Sequence, residues 1–393
     1  MSLDTGLLKE TFALLTPHLE DTAAYFYGRL FAARPGIRAF FPPAMDAQRE
    51  RLFRTITEII DDLDEPELLR LRLDGLGRDH RKFGVTDEHY TAVGEALLAA
   101  LGRFLGPHWT PEVRREWEAF YGFAAGIMRE AARADAERGP SWWIGEVVGH
   151  ERRGADLAVL TVRPDQPLPF RAGQYLTVQS ARWPRVWRPY SVANAPREDG
   201  LLGFHVRALP GGWVSGALVR RTGTGDTLLL GPALGAMTLD PGSARDVLCV
   251  AGGTGLAPLK AITEQALAEN GARRVVLVFG ARSAEGLYDL PALRLLEAAH
   301  PRLKVVAAVS DDPRHRGLQG TAPEAVGGLR DWSEHDVYVA GPHPMIAATL
   351  ARLRRLGVPA ERVRHDPLSG MAARTGVPLP ASPSTPPASD YLQ

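Results

Sequence analysis

The chain is 393 residues long, enough for two or three domains, and its 46 basic residues are balanced by 46 acidic ones. Zero formal charge excludes the basic footprint of a nucleic-acid binder and the solvated acidic tail of an interaction arm. A single cysteine, Cys249, excludes an internal disulfide, and no apolar run reaches the ~18 residues of a membrane span.

The first residues, "MSLDTGLLKETF", hold acids and lack a basic-then-apolar leader, so the expectation is a cytoplasmic protein with no membrane or nucleic-acid partner. Residues 1 to about 138 predict helices: "ERLFRTITEIIDDL" and "AVGEALLAALGRFL" repeat apolar residues at intervals of three and four. Prolines in "LFAARPGIRAFFPPAMD" mark a corner between two of them. Within this region "DHRKFGVTDEHY" carries His80 and Tyr90 on either side of a Gly-Val-Thr-Asp break. On sequence alone a lone histidine in a helical region is usually structural, so for His80 a packed or surface role outweighs that of a ligand. The helical period stops at "AERGPSWW".

From about 142 to 240 the pattern changes. "IGEVVGHE", "LAVLTVRP", "GQYLTVQS", "YSVANAP" and "GFHVRAL" are short alternating runs separated by Pro and Gly, which predicts a small antiparallel β-barrel. In "RPYSVANAP" a strand would place Arg188 and Tyr190 on one face and Ser191 on the other, a pairing of cation and ring suited to a ligand with a phosphate and a flat ring system. An exposed edge strand would carry the same pair, and Pro189 favours an edge. In "PGGWVSGALVRR" glycines open a helix near Val214 and Ser215, offering amides and a positive helix end to a phosphate from Gly212 onward; an ordinary turn has the same appearance.

From about 243 to 370, "DVLCVAGG", "RVVLVFGAR", "KVVAAVSDD" and "DVYVAGP" alternate with helical stretches, which predicts a doubly wound parallel sheet. "AGGTGLAPLKAI" follows the first of these strands. Gly252, Gly253 and Gly255, with Thr254 among them, would let backbone approach an anionic ligand. The turn departs from the common dinucleotide fingerprint, with Pro258 where the last glycine would fall and no acid at the end of the next strand. Gly341 and Pro342 end the fourth strand, and ligands of such sheets bind beyond the strands' carboxyl ends. The last residues, 371–393, are rich in Pro, Ser and Ala and are expected to be disordered.

In order and spacing, these reductase motifs resemble the ferredoxin reductase family. The resemblance implies that Arg188 contacts the FAD diphosphate, Tyr190 packs on the flavin, and Ser191 lies near the flavin nitrogen that accepts hydride. It also implies FAD contacts at Gly212, Val214 and Ser215, and a nicotinamide nucleotide lined by Gly252, Gly253, Thr254, Gly255, Gly341 and Pro342. Ala340 stands where many relatives carry cysteine. Arg282 and Ser283 follow the second strand of the sheet, a place for a 2′-phosphate, but relatives of both preferences share a Gly-x-Arg, so NADH and NADPH stay equally open.

A hydride brings two electrons, a flavin releases them singly, and a one-electron acceptor is therefore expected in the helical region. There "AAYFYGRLFAARPGIRAFF" and "DAQRERLF" resemble a globin, and the whole order resembles the flavohaemoglobins. The implied architecture is a globin at 1–138, an FAD barrel at 142–240 and an NAD(P)H-binding α/β domain at 243–370. The implied cofactors are haem b, FAD and NADH or NADPH. His80 becomes the proximal haem ligand, with Tyr27, Gln48, Leu52 and Phe41 on the distal side and Tyr90 beside the histidine. Relatives pair that tyrosine with a glutamate on the last globin helix, whose place is taken here by Ala134, with Glu130 and Glu137 about one turn away. Relatives also end with an aromatic that "RHDPLSG" lacks. The implied activity is oxidation of nitric oxide to nitrate with dioxygen by a monomer. An oxygen-carrying or sensing globin with its own reductase, or a general NAD(P)H-dependent haem or flavin reductase, are the alternatives.

Overall fold

The computed structural model describes residues 3–365, apart from 43, 270–272 and 330. The expectations for the tail and for the missing C-terminal aromatic fall wholly or mostly outside that range. The chain divides into two compact units. One holds the N-terminal helices with Leu176–Pro189 and Thr227–Leu234; the other holds Glu146–Tyr175, Tyr190–Asp226 and the parallel sheet.

Six helices form the N-terminal region: α1 (Thr5–Leu15), α2 (Leu19–Ala33), α3 (Asp46–Asp61), α4 (Pro66–His80), α5 (Asp87–Leu105) and α6 (Pro111–Ala136). Their ends follow local chemistry. Asp4 caps α1 by accepting from Leu7 N, Thr110 caps α6 by accepting from Val113 N, and Pro66 and Pro111 fill first-turn positions that need no N–H. Pro35 stops α2 and opens a 3₁₀ turn, Pro35–Phe40, the corner expected from the sequence. Leu8, Leu15, Leu73, Leu101 and Trp117 join α1, α4, α5 and α6 in one core, where Trp117 Nε1 donates to Thr11 Oγ1 at 3.0 Å. Helices α4 and α6 cross closely because Gly77 has no side chain: a Cβ there would lie 2.2 Å from Met128 O. A second core, with Phe26, Tyr27, Leu30 and Ala96, lies between α2 and α5.

Strands β1 (Trp143–Arg152), β2 (Leu157–Pro164), β3 (Tyr175–Ser180), β4 (Arg188–Ser191), β5 (Leu202–Arg207) and β6 (Thr227–Leu230) form an antiparallel sheet in the order β4-β3-β6-β1-β2-β5, with α7 (Trp213–Arg220) between β5 and β6. The sheet curls until its ends nearly meet. Val192, just past β4, bridges to Phe204 of β5, and Ala193 N donates to Gly203 O at 2.8 Å. Pro189 lies on β4, an end strand of the order, where a missing donor costs least.

The third region is β7 (Val247–Gly252), α8 (Leu256–Ala268), β8 (Val275–Ala281), α9 (Leu290–Ala299), β9 (Leu303–Val309), β10 (Leu318–Gln319), α10 (Ala322–Leu329), β11 (Asp336–Ala340), α11 (His343–Arg355) and β12 (Val363–His365). Its parallel sheet runs β10-β9-β8-β7-β11-β12. Strand β7 is buried at every position, as a strand covered on both faces must be. Val247, Cys249 and Ala251 face a core with Leu259 of α8 and Leu293 of α9. Leu248 and Val250 face the other, with Val326 of α10 and Ile346 of α11. The chain steps from β7 outward to β10, then returns to the opposite side of β7 for β11. The gap between the carboxyl ends of β7 and β11 is thus the topological switch point.

Candidate functional site

His80 is the last residue of α4, followed by a 3₁₀ turn that ends at Gly84, where φ is +71°. Thr86 then starts α5 in a capping box with His89. His80 Nδ1 lies 2.7 Å from Leu76 O. A carbonyl only accepts, so Nδ1 carries a proton, and Nε2 is the ring nitrogen that a neutral imidazole would offer to iron. Among the described residues no group of three or more His, Cys, Asp or Glu could cage a metal. His80 offers the single protein donor that a haem needs.

The four residues expected on the distal side converge. Tyr27 lies in the second helical core, where Phe41 and Leu52 pack against the buried residues. The rings of Tyr27 and Phe41 meet edge-on, with centroids 5.4 Å apart. Gln48 on α3 donates from Nε2 to the Tyr27 hydroxyl at 3.3 Å, and Arg51 donates to the other end of that amide at 3.5 Å, which fixes its orientation. Because its oxygen already accepts from Gln48, the Tyr27 hydroxyl proton is directed to another acceptor. Burial pushes this hydroxyl up to about 12, so it remains a donor at neutral pH.

Tyr90 lines a crevice with Arg129, Ala132, Arg133 and Ala136 of α6, while Ala134 lines a neighbouring one with Glu130 and Glu137. Glu130 is turned to Arg70, 3.4 Å away, and neither it nor Glu137 shares the crevice of Tyr90. The reason is helical phase: positions 132 and 134 project about 200° apart.

Sequence reading missed Lys82. Two residues beyond His80, its side chain is only 2% exposed. Its ammonium donates to Asp79 and to Thr177 Oγ1 at 3.0 Å, and it sits 5.1 Å from the Phe83 ring and 5.0 Å from the Trp187 ring. Phe83 meets His80 on one side and Trp187 on the other, each at 6.4 Å between centroids. No local signal marks this cluster, because Thr177 is 95 positions away.

On β4, Arg188 is half-buried and donates from Nη1 to Trp187 O at 2.9 Å; Tyr190 and Ser191 are half-buried as well. Helix α7 begins at Trp213 after Gly212, and no side chain caps its N-terminus. The Ser215 hydroxyl is less available than expected. It accepts from Leu209 N at 3.2 Å and donates to Gly212 O at 3.3 Å, so it holds the turn itself. Val214 is buried in its own helix packing.

At the switch point the glycines divide by role. A Cβ on Gly255 would lie 2.4 Å from Ala340 C and O, and one on Gly252 would lie 2.4 Å from Met345 Sδ and 3.1 Å from Pro342 Cδ. These two, with Gly341, let the turns after β7 and β11 pack on each other. Gly253 is different: φ is +54° and nothing lies within 4 Å of its missing Cβ. Its backbone, followed by Thr254, borders open space beyond the strand ends, which suits close approach by a nucleotide.

A globin family model matches residues 24–128, an oxidoreductase FAD-binding domain 146–238 and an oxidoreductase NAD-binding domain 249–350. A flavohemoprotein of Rhodopirellula baltica is 28% identical over 92% of this chain and 95% of its own. The electron transfer component XylA of a Pseudomonas putida xylene/toluene monooxygenase is 36% identical over 55% of this chain and 62% of its own. The solved flavohemoglobin of Malassezia yamatoensis, with bound FAD and haem, superposes with a TM-score of 0.77 over 92% of this chain and 97% of its own, at 18% identity, and so shares the fold. The chain thus joins a globin domain, an oxidoreductase FAD-binding domain and an oxidoreductase NAD-binding domain in one order along nearly its whole length, as do the flavohemoproteins it is similar to, and the cofactors of these domains are haem, FAD and a nicotinamide nucleotide.

Proposed function

We propose that this haem–flavin NAD(P)H oxidoreductase converts nitric oxide to nitrate with dioxygen. When bound, the nicotinamide, flavin and haem supply the redox chemistry, delivering two electrons from NAD(P)H one at a time to iron. The balance is one NAD(P)H, two nitric oxide and two dioxygen molecules giving NAD(P)⁺, two nitrates and a proton. The observation that carries the reading is the Tyr27–Gln48 pair: a buried hydroxyl whose oxygen is occupied and whose proton remains to be donated. That hydroxyl would hydrogen-bond an oxygen ligand gathering negative charge, in surroundings dry enough to strengthen the bond. Phe41, Phe31 and Leu52 keep water out of the same core. His80, oriented by Leu76 O, would hold the iron, and Tyr90 on α5 would act as a positioning residue. Arg188, Tyr190 and Ser191 with the amides after Gly212 would bind FAD, and Gly253, Thr254 and Gly341 the nucleotide.

A second reading is a reductase serving another acceptor, and the higher identity of the reductase half to XylA favours it. Stopped nitric oxide consumption under air with NADH or NADPH separates the two. The proposal expects two nitrates per NAD(P)H oxidised. Nucleotide oxidation by ferric chelates or quinones without nitrate formation from nitric oxide would overturn it.

A further inference from the structure

The crevice beside Tyr90, about 300 Å³ in volume, lies within the helical unit between the turn after α4, α5 and the C-terminal part of α6. Three arginines, Arg81, Arg129 and Arg133, line it together with Tyr90 and Ser141. Two of the three charges are compensated. Arg81 pairs with Asp135 and also donates to Gly139 O at 2.8 Å, and Arg133 pairs with Asp87 at 2.6 Å. Asp87 is the one carboxylate of the lining, and Arg133 already uses it.

Arg129 is the exception. It donates from Nε to Ala125 O at 3.3 Å, and among the described residues no carboxylate lies within ion-pair distance of it. Glu130 and Glu137 border the adjoining crevice that Arg129 also lines, but Glu130 pairs with Arg70. The Tyr90 hydroxyl likewise has no hydrogen-bond partner among the described residues. Burial holds it above the ordinary tyrosine value even against the pull of Arg129, so it remains a donor. Ala132 and Ala136 leave the floor of the crevice open.

We propose that this crevice binds a small planar monoanion, a carboxylate or nitrate, between the Arg129 guanidinium and the Tyr90 hydroxyl. One uncompensated positive charge calls for one negative charge. Charged donors that outnumber the single carboxylate of the lining call for a ligand that only accepts, and the flat fork of a guanidinium matches two oxygens in a plane. The volume admits a carboxylate with a small organic body as well as a bare oxyanion. Nitrate is the product of the reaction proposed above, but the site does not depend on that reaction.

The test uses the full-length protein with its cofactors, reduced and saturated with carbon monoxide so that anions cannot ligate the iron. The probe is sodium formate, read by broadening of its proton resonance, with nitrate and chloride as competitors at constant ionic strength. Expected are broadening by the parent protein, relief by nitrate, and little relief by chloride. Arg129→Gln should weaken the component relieved by nitrate about tenfold, the usual size of a charge-assisted contact. Ala132→Glu, which supplies a carboxylate three residues along the same helix from Arg129, should remove that component without deleting an arginine. Broadening as strong in either variant as in the parent would overturn the proposal, as would equal displacement by chloride and nitrate. If Arg129→Gln does not fold, Ala132→Glu alone decides.

Discussion

In the helical core around Tyr27, side-chain atoms make the candidate site: a hydroxyl, an amide and two apolar walls, each held by a named neighbour. At the switch point of the parallel sheet the site is made by side chains that are missing, with Gly252 and Gly255 letting two turns touch and Gly253 bordering open space. The first kind of site tolerates subtle changes of chemistry and responds in ligand kinetics. The second fails sterically, because a single methyl meets backbone that cannot move aside. The two also differ in what a sequence can reveal, since a tyrosine announces a hydroxyl while a glycine announces only an absence.

The largest effect expected is at the iron. His80→Ala removes the imidazole whose Nδ1 is fixed by Leu76 O, so purified protein should lack the Soret band or lose it on gel filtration, while flavin absorbance persists. Normal haem content in that variant would remove His80 from its role. Gly255→Ala should follow, in the opposite half. Its new Cβ would overlap Ala340 backbone, which predicts roughly 3 kcal/mol or more of destabilisation by overpacking. The readout is flavin reduction by NADH, expected to collapse while carbon monoxide binding to chemically reduced haem remains normal. Retained flavin reduction would show that the two turns can separate without loss.

His205 sharpens the comparison from another side, as a buried polar side chain in the reductase half with a structural task. On β5, its Nδ1 lies 2.8 Å from the Tyr288 hydroxyl, and burial lowers its pKa from 6.5 to about 4. Between those values the unfolded chain takes up a proton that the native ring refuses, so stability rises with pH in this window. The contribution is complete above about pH 6.5, is lost progressively as pH falls, and is gone near pH 4, an amplitude of about 3 kcal/mol. Urea unfolding of the parent between pH 4 and 7 should show this slope, and His205→Gln should flatten it. An identical slope in both proteins would assign the acid sensitivity elsewhere.

Tyr27→Phe keeps the ring against Phe41 and removes only the donor. Dioxygen dissociation from ferrous protein should quicken about ten- to a hundredfold, as expected for one hydrogen bond to a charged oxygen in a dry pocket. Gln48→Leu should give a smaller change, because Gln48 orients the hydroxyl from its oxygen side. A larger effect at Gln48 than at Tyr27 would reverse the assignment of donor.

Legibility followed period and length. The helices of the globin and the longer strands, such as β2 at eight residues and β8 at seven, carry enough repeats to be read directly. Strands β6, β10 and β12 have four, two and three residues, too few to show alternation; pairing with neighbours makes them strands. The Tyr27, Gln48, Phe41 and Leu52 set was legible through resemblance, yet which atom faces which required the placement of α3 against α2. Which α6 residues share the crevice of Tyr90 has the same origin. The phase of α6 relative to α5 is set by contacts such as the Tyr121 hydroxyl donating to Tyr90 O, which no local pattern encodes. Lys82 and Arg129 were invisible for a related reason: burial of one and isolation of the other depend on partners, present or missing, from distant segments.

Gly253→Ala predicts the smallest effect and separates the two roles of glycine most directly. The position has φ of +54° and open space around it, so an alanine there suffers only the left-handed backbone penalty, about 1–2 kcal/mol, with no clash to relieve. The fold should survive, with haem and FAD content and the unfolding midpoint of the globin unchanged. If a nucleotide approaches this turn closely, the methyl stands in its way, and KM for NADH should rise several-fold while electron transfer in protein reduced by dithionite is normal. Gly255→Ala, by contrast, should lose structure and nucleotide reactivity together. Two outcomes would break the distinction. If Gly253→Ala unfolds the sheet, its open space is not open in solution. If KM does not change, the nucleotide binds without approaching residue 253, and the ligand-facing backbone must be sought at Thr254 and beyond Gly341.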